Sequence, residues 1–237
     1  MIPGIVAAQM PAAGGGGGGG YPGAILAFDF VNGLYFVNEV AVAVADVIDK
    51  PGFVTGGVLA LRFANETTQG SGVPDIIGDA IAAITPNPEV TFIVDWVETN
   101  SNFQSIVFCL GDSSTSGTPS YLNTFEIDRA NTGNGGGVYP FDAKSGFGSL
   151  RDIFDTGGTR PAGRHRIAVT RTDAKLIMSI DGEATVDSGS GPQASLACDR
   201  AGFGSAVGDY LWNEIDIRLF LVYPPADDAD LPTLSAL

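Results

Sequence analysis

Short runs of alternating apolar and polar residues recur along the chain and predict β-strands. Two runs are especially clear, and each is expected to place three large apolar side chains on one face: Leu26, Phe28 and Phe30 in the first, and Phe92, Val94 and Trp96 in the second. Residues 104–110 are almost continuously apolar, which is typical of a central strand covered on both faces, with Cys109 as a small buried thiol. The chain is therefore expected to be mostly β-structure.

Two later segments sharpen this prediction. Asp181-Gly182 lies between two strand-like runs and predicts a tight hairpin, because a type I′ turn needs positive φ at both central residues. In the last strand, one apolar face is expected to lie against a second sheet, formed by Ile215, Ile217, Leu219 and Leu221.

Few helices are expected. Residues 75–84 predict one short helix, and the acidic tail, residues 227–237, predicts another. In the tail, Asp227, Asp228 and Asp230 would lie at the helix start, where the helix dipole favours negative charge. The remaining segments between the strands are rich in Gly, Ser, Thr and Asn and predict exposed loops.

The unbroken glycine run at residues 14–20 separates a short apolar peptide from the rest of the chain and predicts a flexible hinge. We therefore divide the chain into an N-terminal arm with its hinge, residues 1–23, and a single body, residues 24–237. The predicted hinge residues include Gly14, Gly17 and Gly20. The larger residues of the arm are predicted to anchor the chain to a neighbouring subunit in an assembly: Met1, Ile2, Pro3, Ile5, Val6 and Met10.

Composition and charge exclude several classes of protein. Of 237 residues, 33 are Gly and 14 are Pro, and only 16% are charged, against about 25% in a typical soluble domain. This argues against helical bundles and coiled coils, whereas 44% hydrophobic residues suffice to bury a core. The net charge of −15 repels phosphate backbones, so no nucleic-acid partner is expected. No apolar run reaches the roughly 18 residues of a membrane span, so no membrane insertion is expected.

Three strings resemble the concanavalin A-like (laminin G-like) jelly-roll family. Residues 163–170, followed by a strand, the Asp-Gly turn and another strand, are similar to the family's G-x-W-H-x-v-a-v-t … v-d-G core, with Arg164 or a neighbour in place of the usual tryptophan. Residues 212–224 resemble the family's last strand, and residues 230–234 resemble its ending. The resemblance covers roughly residues 21–237 and implies an all-β jelly-roll β-sandwich.

Within that family, the apolar arm, the opening strand that ends Phe28-Asp29-Phe30 and the acidic tail resemble virion proteins of tailed bacteriophages. This resemblance implies a structural protein located in the virion, as a capsid-decoration, tail or fibre component anchored by its N-terminal arm. Its partners would be other virion proteins and further copies of itself in a homo-oligomer.

A second interpretation is an adhesin that binds a host cell-surface glycan during attachment, and a virion protein with a lectin body would combine both roles. A glycan site needs an exposed aromatic platform beside polar groups. The candidate residues for such a site are Tyr210, Trp212, Asn213 and Tyr121. Trp212 adjoins the final strand, so it is at least as well suited to the core.

Catalysis by a glycan depolymerase is the weakest interpretation. Residues 124–129 resemble the start of the E-x-D-x-E signature of jelly-roll glucanases, with Glu126 and Asp128 on one strand face. Ala130 occupies the position of the second glutamate, so we expect two solvent-facing acids on an edge strand and no enzyme. His165 lies between two arginines without a nucleophile motif nearby, and it is expected to be a strand-entry residue.

No cofactor or metal is expected. The two cysteines, Cys109 and Cys198, make neither a zinc site nor a disulfide framework. Calcium is the metal that a lectin-like sandwich would hold, and Asp112, Asp199 and Asp209 are the candidate ligands, but no loop shows calcium-ligand spacing.

Overall fold

The computed structural model describes residues 20–49, 61–63, 75–84, 89–98, 105–111, 123–129, 141–145, 151–154, 160–172, 174–187, 200–203 and 215–237. In chain order, the strands and α-helices of these residues are β1 (Leu26–Asp29), β2 (Leu34–Val37), β3 (Val40–Ala41), β4 (Leu61–Phe63), β5 (Asp75–Ile76), α1 (Gly78–Ile84), β6 (Val90–Glu98), β7 (Ser105–Gly111), β8 (Asn123–Arg129), β9 (Phe141–Ser145), β10 (Arg151–Phe154), β11 (Arg164–Arg171), β12 (Leu176–Ile180), β13 (Val186–Asp187), β14 (Arg200–Phe203), β15 (Ile215–Tyr223) and α2 (Leu231–Leu234).

The described strands form two antiparallel sheets. The larger sheet has nine strands, in the order β13-β12-β11-β6-β15-β1-β2-β3, with β4 also paired to β15. The smaller sheet has six strands, in the order β10-β9-β8-β7-β14-β5. One face of each sheet contributes to a shared hydrophobic core, which is the arrangement of a β-sandwich. The predicted all-β, jelly-roll-like sandwich is confirmed.

Phenylalanine side chains meet between the two sheets. Phe92 of β6 stacks on Phe125 of β8 with ring centroids 4.8 Å apart, and Phe108 of β7 lies 4.6 Å from Phe220 of β15. Such aromatic pairs contribute about 0.5–1.5 kcal/mol beyond the area that they bury. The predicted core faces of β1 and β6 are confirmed, since this core contains Leu26, Phe28, Phe30, Phe92, Val94 and Trp96.

A β-bulge in β15 overturns the predicted apolar face of the last strand. Ile217 pairs with Trp96 and Leu219 pairs with Asp95, so Arg218 is an extra residue between two consecutive pairs. A single extra residue moves every following side chain to the opposite face of the sheet. The residues on the core side are therefore Ile217, Phe220 and Val222, whereas Leu219 and Leu221 belong to a second cluster on the other side.

The outer face of the nine-stranded sheet, which points away from the smaller sheet, is partly covered by the C-terminal segment. Leu231 and Leu234 of α2 are buried in an apolar cluster with sheet residues that include Ile93, Ala168 and Leu221. The predicted tail helix is present as a 3₁₀ turn, Asp228–Asp230, followed by α2. Burial of this apolar face explains why so short a helix is held in place.

Three further local predictions are confirmed, the last of them in part. Asp181 and Gly182 have φ of 51° and 79°, as a type I′ turn requires. Strand β7 lies between β8 and β14 and contains the buried thiol of Cys109. The predicted helix at residues 75–84 begins as β5 and becomes helical only at Gly78.

Candidate functional site

Most of the residues predicted to bind ligand or to anchor the chain lie outside the described part of the structure. These are the glycan candidates Tyr121, Tyr210, Trp212 and Asn213, the arm residues Met1, Ile2, Pro3, Ile5, Val6 and Met10, the hinge residues Gly14 and Gly17, and the calcium candidates Asp112, Asp199 and Asp209. The third hinge residue, Gly20, is described and is exposed. The division of the chain into arm and body stays a prediction.

Glu126 and Asp128 lie on β8, but β8 is not an edge strand. It is hydrogen-bonded to β7 on one side and to β9 on the other, which corrects the sequence-based expectation. In the register, Glu126 is opposite Lys144 and Asp128 is opposite Asp142. Since Phe125 and Ile127 are buried in the core, both acids occupy the intervening positions of the strand.

His165 is the second residue of β11, as predicted for a strand-entry residue. It is buried, with Nδ1 2.8 Å from Oδ2 of Asp181 and Nε2 2.9 Å from the carbonyl oxygen of Pro161. Both ring nitrogens therefore have acceptors as neighbours. Burial would raise the pKa of Asp181, but hydrogen bonds from His165 and the Arg166 amide, together with the charges of His165 and Arg160, lower it below its usual value of 3.8.

A group of charged residues that the sequence analysis did not single out lies on the outer face of the nine-stranded sheet. It consists of Asp95 on β6, Arg164 and Arg166 on β11, and Arg218 at the bulge of β15, and we call it the arginine patch. Antiparallel pairing places Asp95 directly opposite Arg166. Arg164 lies two residues further along the same face, within diagonal reach of Asp95.

The carboxylate of Asp95 accepts most of the hydrogen bonds in the patch. Arg164 donates from Nε to Oδ1 at 3.0 Å and from Nη2 to Oδ2 at 2.6 Å, which is a bidentate pair. Arg166 donates from Nε and Nη2 to Oδ2 at 3.2 and 2.7 Å, and from Nη1 to the carbonyl oxygen of Ala236 at 2.6 Å. The hydrogen bond to Asp95 raises the pKa of Arg164, against the opposing effect of burial.

Arg218 is positioned differently from the other two arginines. Its Nε lies 3.8 Å from Oδ1 of Asp95, which is too long for a hydrogen bond, and this buried atom has no hydrogen-bond partner in the described structure. The side chain of Asp95 is only 2% exposed, whereas those of Arg164, Arg166 and Arg218 are 42%, 17% and 25% exposed. Solvent therefore reaches part of each arginine side chain but almost none of the carboxylate between them.

Tyr21 and Asp29 extend the polar surface across β1. Asp29 pairs with Leu219 of β15, which in turn pairs with Asp95 of β6. The carboxylate of Asp29 accepts hydrogen bonds from Tyr21 Oη at 2.6 Å and from Asn32 Nδ2 at 2.6 Å. Burial and then the contact with Asp29 raise the pKa of Tyr21, and the nearby positive charge of Arg166 acts in the opposite direction. One half-buried aromatic ring thus lies beside the patch.

Two kinds of site are not found among the described residues. No group of three or more His, Cys, Asp or Glu side chains in this part of the chain is arranged to hold a metal ion. No helix formed by the described residues has the length and apolar character needed to cross a membrane.

Comparison with solved structures defines the class of fold. A CBM40 carbohydrate-binding module of the Ruminococcus gnavus IT-sialidase, bound to α2,3-sialyllactose, superimposes with a TM-score of 0.54 at 16% identity, over 76% of this chain and 100% of that chain. The same module bound to α2,6-sialyllactose gives a TM-score of 0.51 at 17% identity, over 75% of this chain and 100% of that one. These similarities show an all-β, jelly-roll-like sandwich.

A larger protein contains the same type of sandwich. Trypanosoma rangeli sialidase superimposes with a TM-score of 0.57 at 11% identity over 90% of this chain, which spans only 32% of that protein. No protein-family profile and no curated protein sequence matches this chain. The expected virion role and location, and the expected lack of catalysis, are not tested by these similarities and stay predictions.

Proposed function

We propose that this chain is a non-catalytic carbohydrate-binding domain and that the arginine patch, with Tyr21 beside it, is its ligand site. The observation that carries the proposal is the convergence of the partly exposed side chains of Arg164, Arg166 and Arg218 on one carboxylate, in a chain with only 12 Lys and Arg residues. Small-ligand sites commonly combine a few convergent polar groups with an aromatic or apolar surface. The fold shared with CBM40 modules supports the same function.

The patch contains groups suited to sugar hydroxyls. Each guanidinium has five N–H donors in a fixed plane, and most of those donors make no hydrogen bond to a described residue. Asp95 holds two of the guanidinium groups in place, so little side-chain entropy is lost when a ligand binds. The partly exposed ring of Tyr21 offers an apolar surface next to these donors.

A glycan array followed by calorimetry on the full chain tests the proposal. We expect binding to at least one glycan and at least tenfold weaker binding for Arg164→Ala, because Arg164 is the most exposed guanidinium of the patch. Lys175→Gln is the matched control, since it removes one partly exposed positive charge at the opposite end of the β11–β12 hairpin. This control should bind as the unmodified chain does.

Two outcomes would contradict parts of the proposal. If no glycan binds the folded chain, the proposed function is wrong. If Glu126→Ala abolishes binding and Arg164→Ala does not, the ligand site lies on the six-stranded sheet instead of the patch. In that case, the site would lie on β8, where Glu126 and Asp128 resemble part of the glucanase signature.

A further inference from the structure

We propose that the outer edge of β3 binds the N-terminal arm of a second copy of this chain, so that two copies exchange arms. Strand β3 is the last strand on one side of the nine-stranded sheet, and its strand partner among the described residues is β2. An edge strand presents main-chain groups to which a peptide from another molecule can add as a further strand. This surface is separate from the arginine patch, so the inference does not depend on the proposed function.

The main chain of Ala41 is available to pair with such a strand. Val42 N donates to the carbonyl oxygen of Tyr35 at 2.9 Å, so the neighbouring pair, Ala41 opposite Phe36, is a non-hydrogen-bonded pair. The N–H and C=O groups of Ala41 therefore point away from β2. Neither group forms a hydrogen bond to another described residue. The edge thus offers one donor and one acceptor.

The side chains around this edge are apolar and exposed. Val40 is 64% exposed and Leu34 of β2 is 43% exposed, and they are two of the three exposed large apolar side chains of the described residues. Residues 40–45 contain only Val and Ala, and four of the six are exposed. At the opposite edge of the sheet, β13 exposes Asp187, and a charge of this kind protects an edge from pairing. The β3 edge has no such protection over residues 40–45.

The arm has the composition of a matching strand. Pro3 and Pro11 enclose seven residues, 4–10, each of which has a main-chain N–H and none of which is charged. This stretch is long enough for a typical strand of about 5–6 residues. Because each copy has a net charge of −15, contact between copies is least opposed where both surfaces are uncharged. The arm and the β3 edge satisfy this condition together.

The body begins beside the hairpin that contains this edge. Gly23 N donates to Oε1 of Glu39 at 2.5 Å, and Glu39 lies in the turn between β2 and β3. Asn38 and Glu39 have φ of 48° and 65°, as in a type I′ turn. A chain the length of the glycine run at residues 14–20 spans roughly 14–16 Å, which is about three strand spacings. Two copies that meet through their β2–β3 hairpins can therefore exchange arms around a two-fold axis.

A second copy fits this surface better than the arm of the same chain. Phe36 belongs to the cluster on the outer face of the sheet, and Leu34, two residues earlier, lies on the same face. Ala41 is opposite Phe36 and also lies on that face. One added strand from the same chain would cover the edge but not the outer face of the hairpin. The body of a second copy, held by its arm, covers both.

The test is the association state of the full chain, measured by sedimentation over a concentration series. We expect a dimer, and we expect Val40→Lys to weaken dimerisation about tenfold or more, because a charged edge opposes strand addition. Thr185→Lys is the matched control, since it places the same charge on an exposed residue next to β13 and should not weaken dimerisation. Either lysine makes the chain less negative, so a general charge effect would strengthen association in both variants.

Mixing two variants tests the exchange directly. Val6→Pro combined with Ala7→Pro removes two successive N–H donors from the arm, one of which would face β3, and leaves the β3 edge unchanged. Val40→Lys has the opposite defect, because its arm is unchanged and its edge is charged. Each of these chains alone should be monomeric. Their mixture should form a 1:1 heterodimer with one exchanged arm, weaker than the dimer of the unmodified chain.

Three outcomes would overturn the inference. The first is a full chain that is monomeric at every concentration, which includes the case of an arm that covers its own edge. The second is a dimer that Val40→Lys and Thr185→Lys affect equally, and the third is a mixture that does not associate. If Val40→Lys does not fold, the chain with Val6→Pro and Ala7→Pro decides, because these residues precede the sandwich in the sequence. Undiminished dimerisation of that chain overturns the exchange of arms.

Discussion

Asp95 is the residue on which the arginine patch depends. Its carboxylate is almost inaccessible and compensates guanidinium groups from two different strands. A buried carboxylate of this kind is stabilising only while its partners are in place, and the partners are likewise stabilised by it. The stability of this end of the sheet and its capacity to bind a ligand therefore rest on the same side chain.

We expect Asp95→Ala to lower the free energy of unfolding by about 1–3 kcal/mol. Removing one member of a fully buried ion pair costs roughly 3–5 kcal/mol, and partial exposure of the arginines reduces this value. Glu183→Gln is the control, because it breaks an ion pair with Arg160 in which Glu183 is exposed, and it should cost less than about 1 kcal/mol. Urea denaturation measures both, and similar losses for the two variants would contradict the role of Asp95.

Asp181 is expected to make stability depend on pH. Its pKa is lowered in the folded protein, so its contribution is complete above the usual value of 3.8 and is lost as the pH falls through the lower, folded value. Asp181→Asn removes this contribution and preserves the turn, because Asn tolerates the positive φ of 51° at this position.

The measurement is urea denaturation of both proteins at neutral pH and below pH 3. The variant should be less stable than the unmodified chain at neutral pH, and the difference should shrink in acid, where Asp181 is protonated. A difference that stays constant across this range would show that the charge of Asp181 does not contribute.

At the scale of elements, the C-terminal segment completes the large sheet. Leu231 and Leu234 cover apolar residues that the outer face would otherwise expose, and Ser235 Oγ lies 2.8 Å from Ser179 Oγ of β12. The segment then ends beside the patch, where the Ala236 carbonyl accepts a hydrogen bond from Arg166. One short segment thus covers part of the outer face and borders the candidate site.

We expect Leu231→Ala to destabilise the fold by about 2–4 kcal/mol, because it leaves a cavity in the outer cluster. Thr233→Ala changes an exposed residue of the same short helix and should alter stability by less than about 0.5 kcal/mol. Thermal unfolding followed by circular dichroism distinguishes the two variants. If the Leu231→Ala protein is as stable as the Thr233→Ala protein, the packing of α2 on the outer face does not stabilise the fold.

At the scale of the whole molecule, described residues from Ala24 onward form two packed sheets with a shared hydrophobic core. The sandwich is therefore expected to fold without the glycine run and the apolar peptide before it. Deleting residues 1–19 should leave the urea midpoint and glycan binding unchanged. If the arm anchors the chain as the sequence suggests, the same deletion should abolish assembly with a neighbouring subunit.

Light scattering and denaturation of the truncated chain check both expectations. A lower urea midpoint would show that the arm is part of the folded body. An unchanged association state, where the full chain associates, would contradict the anchoring role predicted for the arm. Because the two readouts are independent, folding and assembly are tested separately.

Local sequence features predicted much of the fold. Alternation identified the core faces of β1 and β6, because the direction of side chains along a regular strand depends only on the backbone period of two. The Asp181-Gly182 turn was predictable for a similar reason, since positive φ is a property of single residues and their neighbours. These features need no knowledge of which strands lie side by side.

The candidate site could not be predicted in the same way. Arg164 and Arg166 are 69 and 71 positions from Asp95 in sequence, and Arg218 reaches the same carboxylate only through the bulge that also reversed the second half of β15. Alternation placed Leu219 and Leu221 on the wrong face of β15, because a bulge depends on how two strands pair. The sequence alone thus determined a strand-rich, acidic sandwich with identifiable turns. The tertiary structure decided which charges meet, because register and bulges arise from contacts between strands that are distant in the chain.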